Sequence, residues 1–97
     1  MMTIVTNVTL TEAGVDRWDR VMHDRVEAAR ERPGWVAAQL LTQTDQPLRR
    51  AIIGTWDTRA DWEAWHADEA FRETREELDG LQTGPAQTVW YEVVELP

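Results

Sequence analysis

Cysteine and lysine are both missing from the 97 residues. Without a thiol there is no disulfide framework, no thiolate nucleophile and no sulfur-ligated metal. All ten basic residues are arginine, and 18 acidic residues outnumber them, for a net charge of -8. So little positive charge excludes the clustered cations that nucleic acid requires, and it disfavours anionic membrane surfaces. Long apolar runs are lacking too, so no segment reads as a membrane span. No basic region followed by an apolar core marks the N-terminus, and the expected compartment is cytoplasmic. His23 and His66 lie 43 residues apart with no acidic residue at a ligand spacing, which argues against a metal site. A glycine-rich phosphate loop and a Ser-His-Asp pattern are also missing.

What remains is an ordinary globular composition, 42% hydrophobic and 29% charged, of a length that makes one domain over residues 1–97. Three of the six tryptophans, Trp56, Trp62 and Trp65, crowd into the stretch from Gly54 to His66. The apolar run Ala51-Ile52-Ile53-Gly54 is too short for a helix and reads as a strand that Trp56 closes. Thr58 with Asp61 three residues on fits a capping box and predicts a helix over 58–66. Trp62 and Trp65, three apart, share one face of it.

In order along the chain, Thr3 to Leu10 alternates and is rich in β-branched residues, which predicts a strand. Thr11 is a suitable N-cap for a helix whose apolar positions Val15, Trp18, Val21, Met22, Val26 and Ala29 follow the 3.6 period until Pro33-Gly34 ends it. Residues 35–43 and 48–56 form strands joined by a turn at 44–47. After the tryptophan helix, Asp68 restarts a helix to Asp79 with Phe71, Thr74, Arg75 and Leu78 on its inner stripe. Gly84-Pro85 reads as a loop, and residues 88–96 as a last strand. The order β-α-β-β-α-β is the ferredoxin-like split βαβ arrangement, an α+β fold with an antiparallel four-stranded sheet. Two helices cover only one face of such a sheet, so the other face predicts a homodimer.

The segments Pro33-Gly34-Trp35-Val36-Ala37-Ala38-Gln39-Leu40-Leu41, Gly54-Thr55-Trp56-Asp57-Thr58 and Trp62-Glu63-Ala64-Trp65 together resemble the antibiotic biosynthesis monooxygenase (ABM) family. The resemblance implies a chain that pairs its sheets into a dimeric α+β barrel. In the family's quinone-forming oxygenases, an asparagine on the first strand and a tryptophan on the short helix serve oxygenation without metal or flavin. Asn7 and Trp65 stand at the matching places, so the resemblance implies catalytic roles for both. In the haem-degrading branch the same pair is joined by a histidine that ligates iron. The matching position here is Arg75, which has no lone pair to offer.

The implied activity is a cofactor-independent oxidation, by molecular oxygen, of a polycyclic phenol or anthrone-like aromatic to a quinone. Asn7 would donate to a substrate oxygen, and Trp62, Trp65 and Phe71 would form flat walls. Arg75 would favour the ionised substrate unless it pairs with Asp79 at i+4. His66 is a further candidate because its unperturbed pKa lies near neutrality. The alternatives are a non-catalytic small-molecule-binding protein of the same fold and, more distantly, a haem-binding or haem-degrading protein. Alternation places Val5, Asn7 and Thr9 on one face of the first strand and Ile4, Val8 and Leu10 on the other. A catalytic Asn7 then requires its own face to meet the helices, with Ile4, Val8 and Leu10 toward the partner subunit.

Overall fold

Strand and helix alternate in the order expected along residues 1–97, all of which the computed structural model describes. The elements are β1 (Met2–Leu10), a 3-10 turn (Glu12–Gly14), α1 (Val15–Ala29), β2 (Trp35–Gln43), β3 (Gln46–Trp56), α2 (Arg59–His66), α3 (Glu69–Leu78) and β4 (Gln82–Glu92). The strands form one antiparallel sheet in the order β2-β3-β1-β4, the ferredoxin-like topology. The 3-10 turn replaces the expected side-chain cap: the Thr11 carbonyl, not its hydroxyl, receives the Gly14 amide.

The helices cover the face of β1 that carries Met2, Ile4, Val8 and Leu10. Met2 and Ile4 pack with Ala29, Trp56, Trp65 and Phe71. Val8 and Leu10 pack with Trp18 and Met22. Each large side chain buried here is worth about 1.5–3 kcal/mol relative to exposure. Trp18 is fully buried and still satisfies its indole N–H, which donates to Gln82 Oε1 at 3.3 Å. The expected assignment of the two faces is therefore inverted. The apolar parity of β1 closes the core under the helices, and the parity of Thr3, Val5, Asn7 and Thr9 lies on the helix-free face.

The last strand also differs from expectation. It begins at Gln82, six residues earlier than the sequence pattern suggests, and ends at Glu92. Gly84-Pro85 lies inside it, where the register to β1 slips between Asn7 and Thr9. Because β4 is an edge strand, proline withholds no hydrogen bond from a neighbour on its free side, and Gly84 takes the left-handed turn at φ 70. Val94 and Leu96 leave the sheet and are exposed.

Candidate functional site

The tryptophan helix is set by its cap. Thr58 Oγ1 accepts from the Asp61 amide at 3.1 Å and donates to the Asp61 carboxylate at 2.8 Å, so the carboxylate meets the hydroxyl instead of the Thr58 amide. Gly34, at φ 83, lies against Asp61, and a Cβ there would overlap that carboxylate. The Gly34 carbonyl receives the Asp57 amide at 2.8 Å, which fixes where β3 hands over to the helix. Asp68 caps the next helix, accepting from the Ala70 amide at 2.9 Å. The same carboxylate takes both Nε and Nη2 of Arg32, at 3.0 and 3.1 Å. This fork ties the α2–α3 junction to the segment leaving α1, and Arg32 also lies 5.6 Å from the Trp65 ring.

A cavity of about 580 Å³ lies between these helices and the sheet. Its floor includes Ile4, Thr6, Ile52 and Thr88, the last two facing Thr6 across the ladder. Thr6 sits between Ile4 and Val8, which belong to the two separate core clusters, so the cavity opens where the core divides. Trp62, Trp65 and His66 of α2, Phe71 and Arg75 of α3, and Met22, Arg25 and Val26 of α1 line the remainder. The volume suits a small-molecule site, and the lining is apolar with a few polar groups.

The rings form a continuous wall. His66, four residues after Trp62, lies over it with ring centroids 3.7 Å apart and reaches Phe71 at 4.1 Å. Trp65 meets Phe71 edge-on at 5.7 Å. Trp62 meets Trp90 edge-on at 4.5 Å, which extends the wall onto β4. His66 Nδ1 lies 3.0 Å from the Trp62 carbonyl oxygen. A carbonyl only accepts, so Nδ1 carries the hydrogen and Nε2 holds the lone pair of the neutral ring. Burial pushes the His66 pKa below its ordinary value, and the cationic Arg25 and Arg75 add to that push, partly offset by the carbonyl.

The arginines differ in their attachments. Arg25 is half-buried, its guanidinium carbon 4.1 Å from the Phe71 ring centroid, and its Nε donates to Thr74 Oγ1 at 2.8 Å. Thr74 in turn donates to the Phe71 carbonyl at 2.7 Å. Burial, then Arg75, lowers the Arg25 pKa to about 10. Arg75 is exposed at the mouth, 5.4 Å from the same ring. It makes no ion pair with Asp79; the ion pairs of the chain are Arg30–Glu27, Arg32–Asp68, Arg50–Asp19 and Arg59–Glu63.

Of the residues singled out from sequence, Trp62, Trp65, His66, Phe71 and Arg75 line this one cavity, and Asn7 does not. Asn7 pairs across the sheet with Ala51 and Gln87, on the face opposite Ile4 and Val8. Its amide therefore points away from the tryptophan helix, and the convergence of Asn7 with Trp65 and Arg75 is corrected. The polar group that β1 offers the cavity is Thr6, whose hydroxyl lies 3.2 Å from that of Thr88. Arg25 was not anticipated either. The signal was present: it lies four residues after Val21 and three after Met22, on the inner stripe of α1, where a charged residue is out of pattern.

No group of three or more His, Asp or Glu side chains is disposed to hold a metal ion. Among curated proteins none matches the chain. Solved structures match its fold closely at low identity. A candidate antibiotic biosynthesis monooxygenase from Nitrosomonas europaea superposes with a TM-score of 0.92 at 17% identity, over 98% of this chain and 100% of that one. SnoaB, a cofactor-independent oxygenase from Streptomyces nogalater, gives 0.85 at 19%, over 98% and 94%. Rv0793 from Mycobacterium tuberculosis gives 0.88 at 9%, over 98% and 96%. The sequence profile of the family described as antibiotic biosynthesis monooxygenase matches residues 1–77, and with the fold in agreement the chain belongs to that family.

Proposed function

We propose that the protein is a cofactor-independent monooxygenase that oxidises a polycyclic phenol or anthrone-like compound to a quinone. The observation that carries this reading is the single cavity in which an aromatic wall, a neutral histidine and two guanidinium groups meet. Triplet oxygen reacts slowly with closed-shell carbon, but an electron-rich carbanion or phenolate supplies an electron itself. The substrate ring lies against Trp62, Trp65 and Phe71. Nε2 of His66 takes the proton from the ring methylene, and the arginines favour the resulting anion. Oxygen accepts an electron, the two radicals join as a peroxide at that carbon, and protonation followed by loss of water leaves the carbonyl. One methylene and one O₂ thus become one carbonyl and one water. The description of SnoaB as a cofactor-independent oxygenase supports the same chemistry.

The helix-free sheet face supports a homodimer. Residues of that parity include Val5, Ala51 and Ile53, with Leu41, Val89 and Tyr91 exposed on the flanking strands. An apolar face of this kind is stable in water once a second copy covers it.

The test is oxygen uptake with reduced anthrones. Wild type should consume one O₂ per quinone formed, and His66→Gln should slow turnover by about 10²-fold or more while binding persists. Trp65→Phe should keep the fold and weaken binding or turnover. Binding of anthrones without oxygen uptake above the buffer rate would make this a non-catalytic binding protein.

A further inference from the structure

We infer that Arg25 and Arg75 form an anion clamp, so that the ligand is a planar aromatic carrying an ionised oxygen at the edge facing α1 and α3. This rests on the reading of the cavity as an aromatic site, and it adds which group the cavity selects. The two guanidinium groups approach the same Phe71 ring, at 4.1 and 5.4 Å, from different helices. Neither has a carboxylate partner, and of the arginines without an ion pair these two are the ones that line the cavity. Asp79 lines the same cavity, yet it does not close an ion pair with Arg75.

Arg25 is the more informative of the two. Its Nε is anchored by Thr74, which fixes the plane of the fork, while its terminal nitrogens donate to no protein atom and are not sealed from the cavity. A guanidinium held this way is preorganised for an oxyanion and loses little freedom on binding one. Burial first, and the nearby Arg75 second, lower its pKa, and a bound anion would offset both. With the charge fixed at the arginines, the rest of the ligand extends over the rings of Phe71, Trp65 and Trp62. A carboxylate substituent and an ionised ring hydroxyl both supply the required oxygen, and the two sources behave differently in titration.

Three fluorescent probes separate the outcomes: anthracene-2-carboxylate, its neutral carboxamide, and 2-hydroxyanthracene. The carboxylate should bind wild type about tenfold tighter than the carboxamide, the scale of one charge-assisted hydrogen bond. Arg25→Met and Arg75→Met should each abolish most of that preference and leave carboxamide affinity within about twofold. Arg75, exposed at the mouth, tolerates substitution even if Arg25→Met fails to fold, and Arg25→Lys provides a charged variant that lacks the fork. If an ionised hydroxyl is the source, bound 2-hydroxyanthracene should ionise at a lower pH than the free probe in wild type but not in Arg75→Met. If a carboxylate is the source, that shift is small while the carboxylate preference persists. Equal affinity for carboxylate and carboxamide, together with no ionisation shift, overturns the clamp and leaves the aromatic cavity standing. Failure of all three probes to bind overturns the cavity reading and the clamp with it.

Discussion

At the scale of single residues, the surroundings of His66 favour its neutral form. Its ring hydrogen-bonds to the Trp62 carbonyl, stacks between Trp62 and Phe71, and faces the two arginines. Its folded pKa lies below the ordinary 6.5, so the folded protein binds fewer protons than the unfolded chain just below that pH. Stability should therefore fall as the pH drops from 6.5 toward the folded value, and His66→Gln should remove that segment of the pH dependence. Asp68 acts in a separate window. The Arg32 fork, then the Ala70 amide, lowers its pKa below 3.8, so its contribution is present above 3.8 and lost as pH falls through the lower folded value. NMR titration of the His66 ring should give a midpoint under 6.5, and urea melts from pH 7 down to about pH 2 should follow both windows. A midpoint at or above 6.5 would remove the basis for a neutral base in the cavity.

At the scale of elements, a buried cation adds an ionic tie between α1 and the sheet to the packing of Trp18 and Met22. Arg50 of β3 is 7% exposed and pairs through Nε and Nη2 with the two oxygens of Asp19, at 3.0 and 3.1 Å. Its remaining nitrogen donates to the Pro47 and Arg49 carbonyls, at 2.7 and 3.1 Å. Asp19→Ala leaves that cation without its counter-charge, and the expected loss is about 1–3 kcal/mol. For a domain of this size each kcal/mol moves Tm by about 4–8 °C. Calorimetry should show the drop; an unchanged Tm would mean that solvent replaces Asp19 at no cost. Double substitution of Arg50 and Asp19 by apolar residues should recover part of the loss, because the uncompensated charge is then gone.

For the molecule as a whole, the inverted faces of β1 decide which substitutions test the proposed homodimer and which test folding. Val5→Arg or Ile53→Arg places a charge on the helix-free face and should give a folded monomer. Val8→Arg or Leu10→Arg places the same charge among Trp18 and Met22 and should unfold the chain. Sedimentation with circular dichroism distinguishes the two results, and a Val5→Arg variant that stays dimeric would remove this face as the interface. Much of this organisation was legible in the chain. Period-2 and period-3.6 patterns, the Thr58 cap and the Pro33-Gly34 stop identify the elements, and their order specifies the split βαβ topology. The tryptophan helix and the stripe of Phe71 and Arg75 placed most of the cavity wall, because i, i+3 and i, i+4 spacing is a local property. Strand alternation divides β1 into two faces but is silent on which one the helices cover. That depends on where Trp18, Met22, Trp65 and Phe71 arrive from other elements, and it puts Thr6, not Asn7, in the lining of the cavity. The bulge at Gly84-Pro85 likewise reflects the edge position of β4, which exists only once the sheet is ordered. Arg25 and Arg75, 50 residues apart in the chain, both approach one ring because α1 and α3 pack against each other, a proximity that only tertiary packing sets.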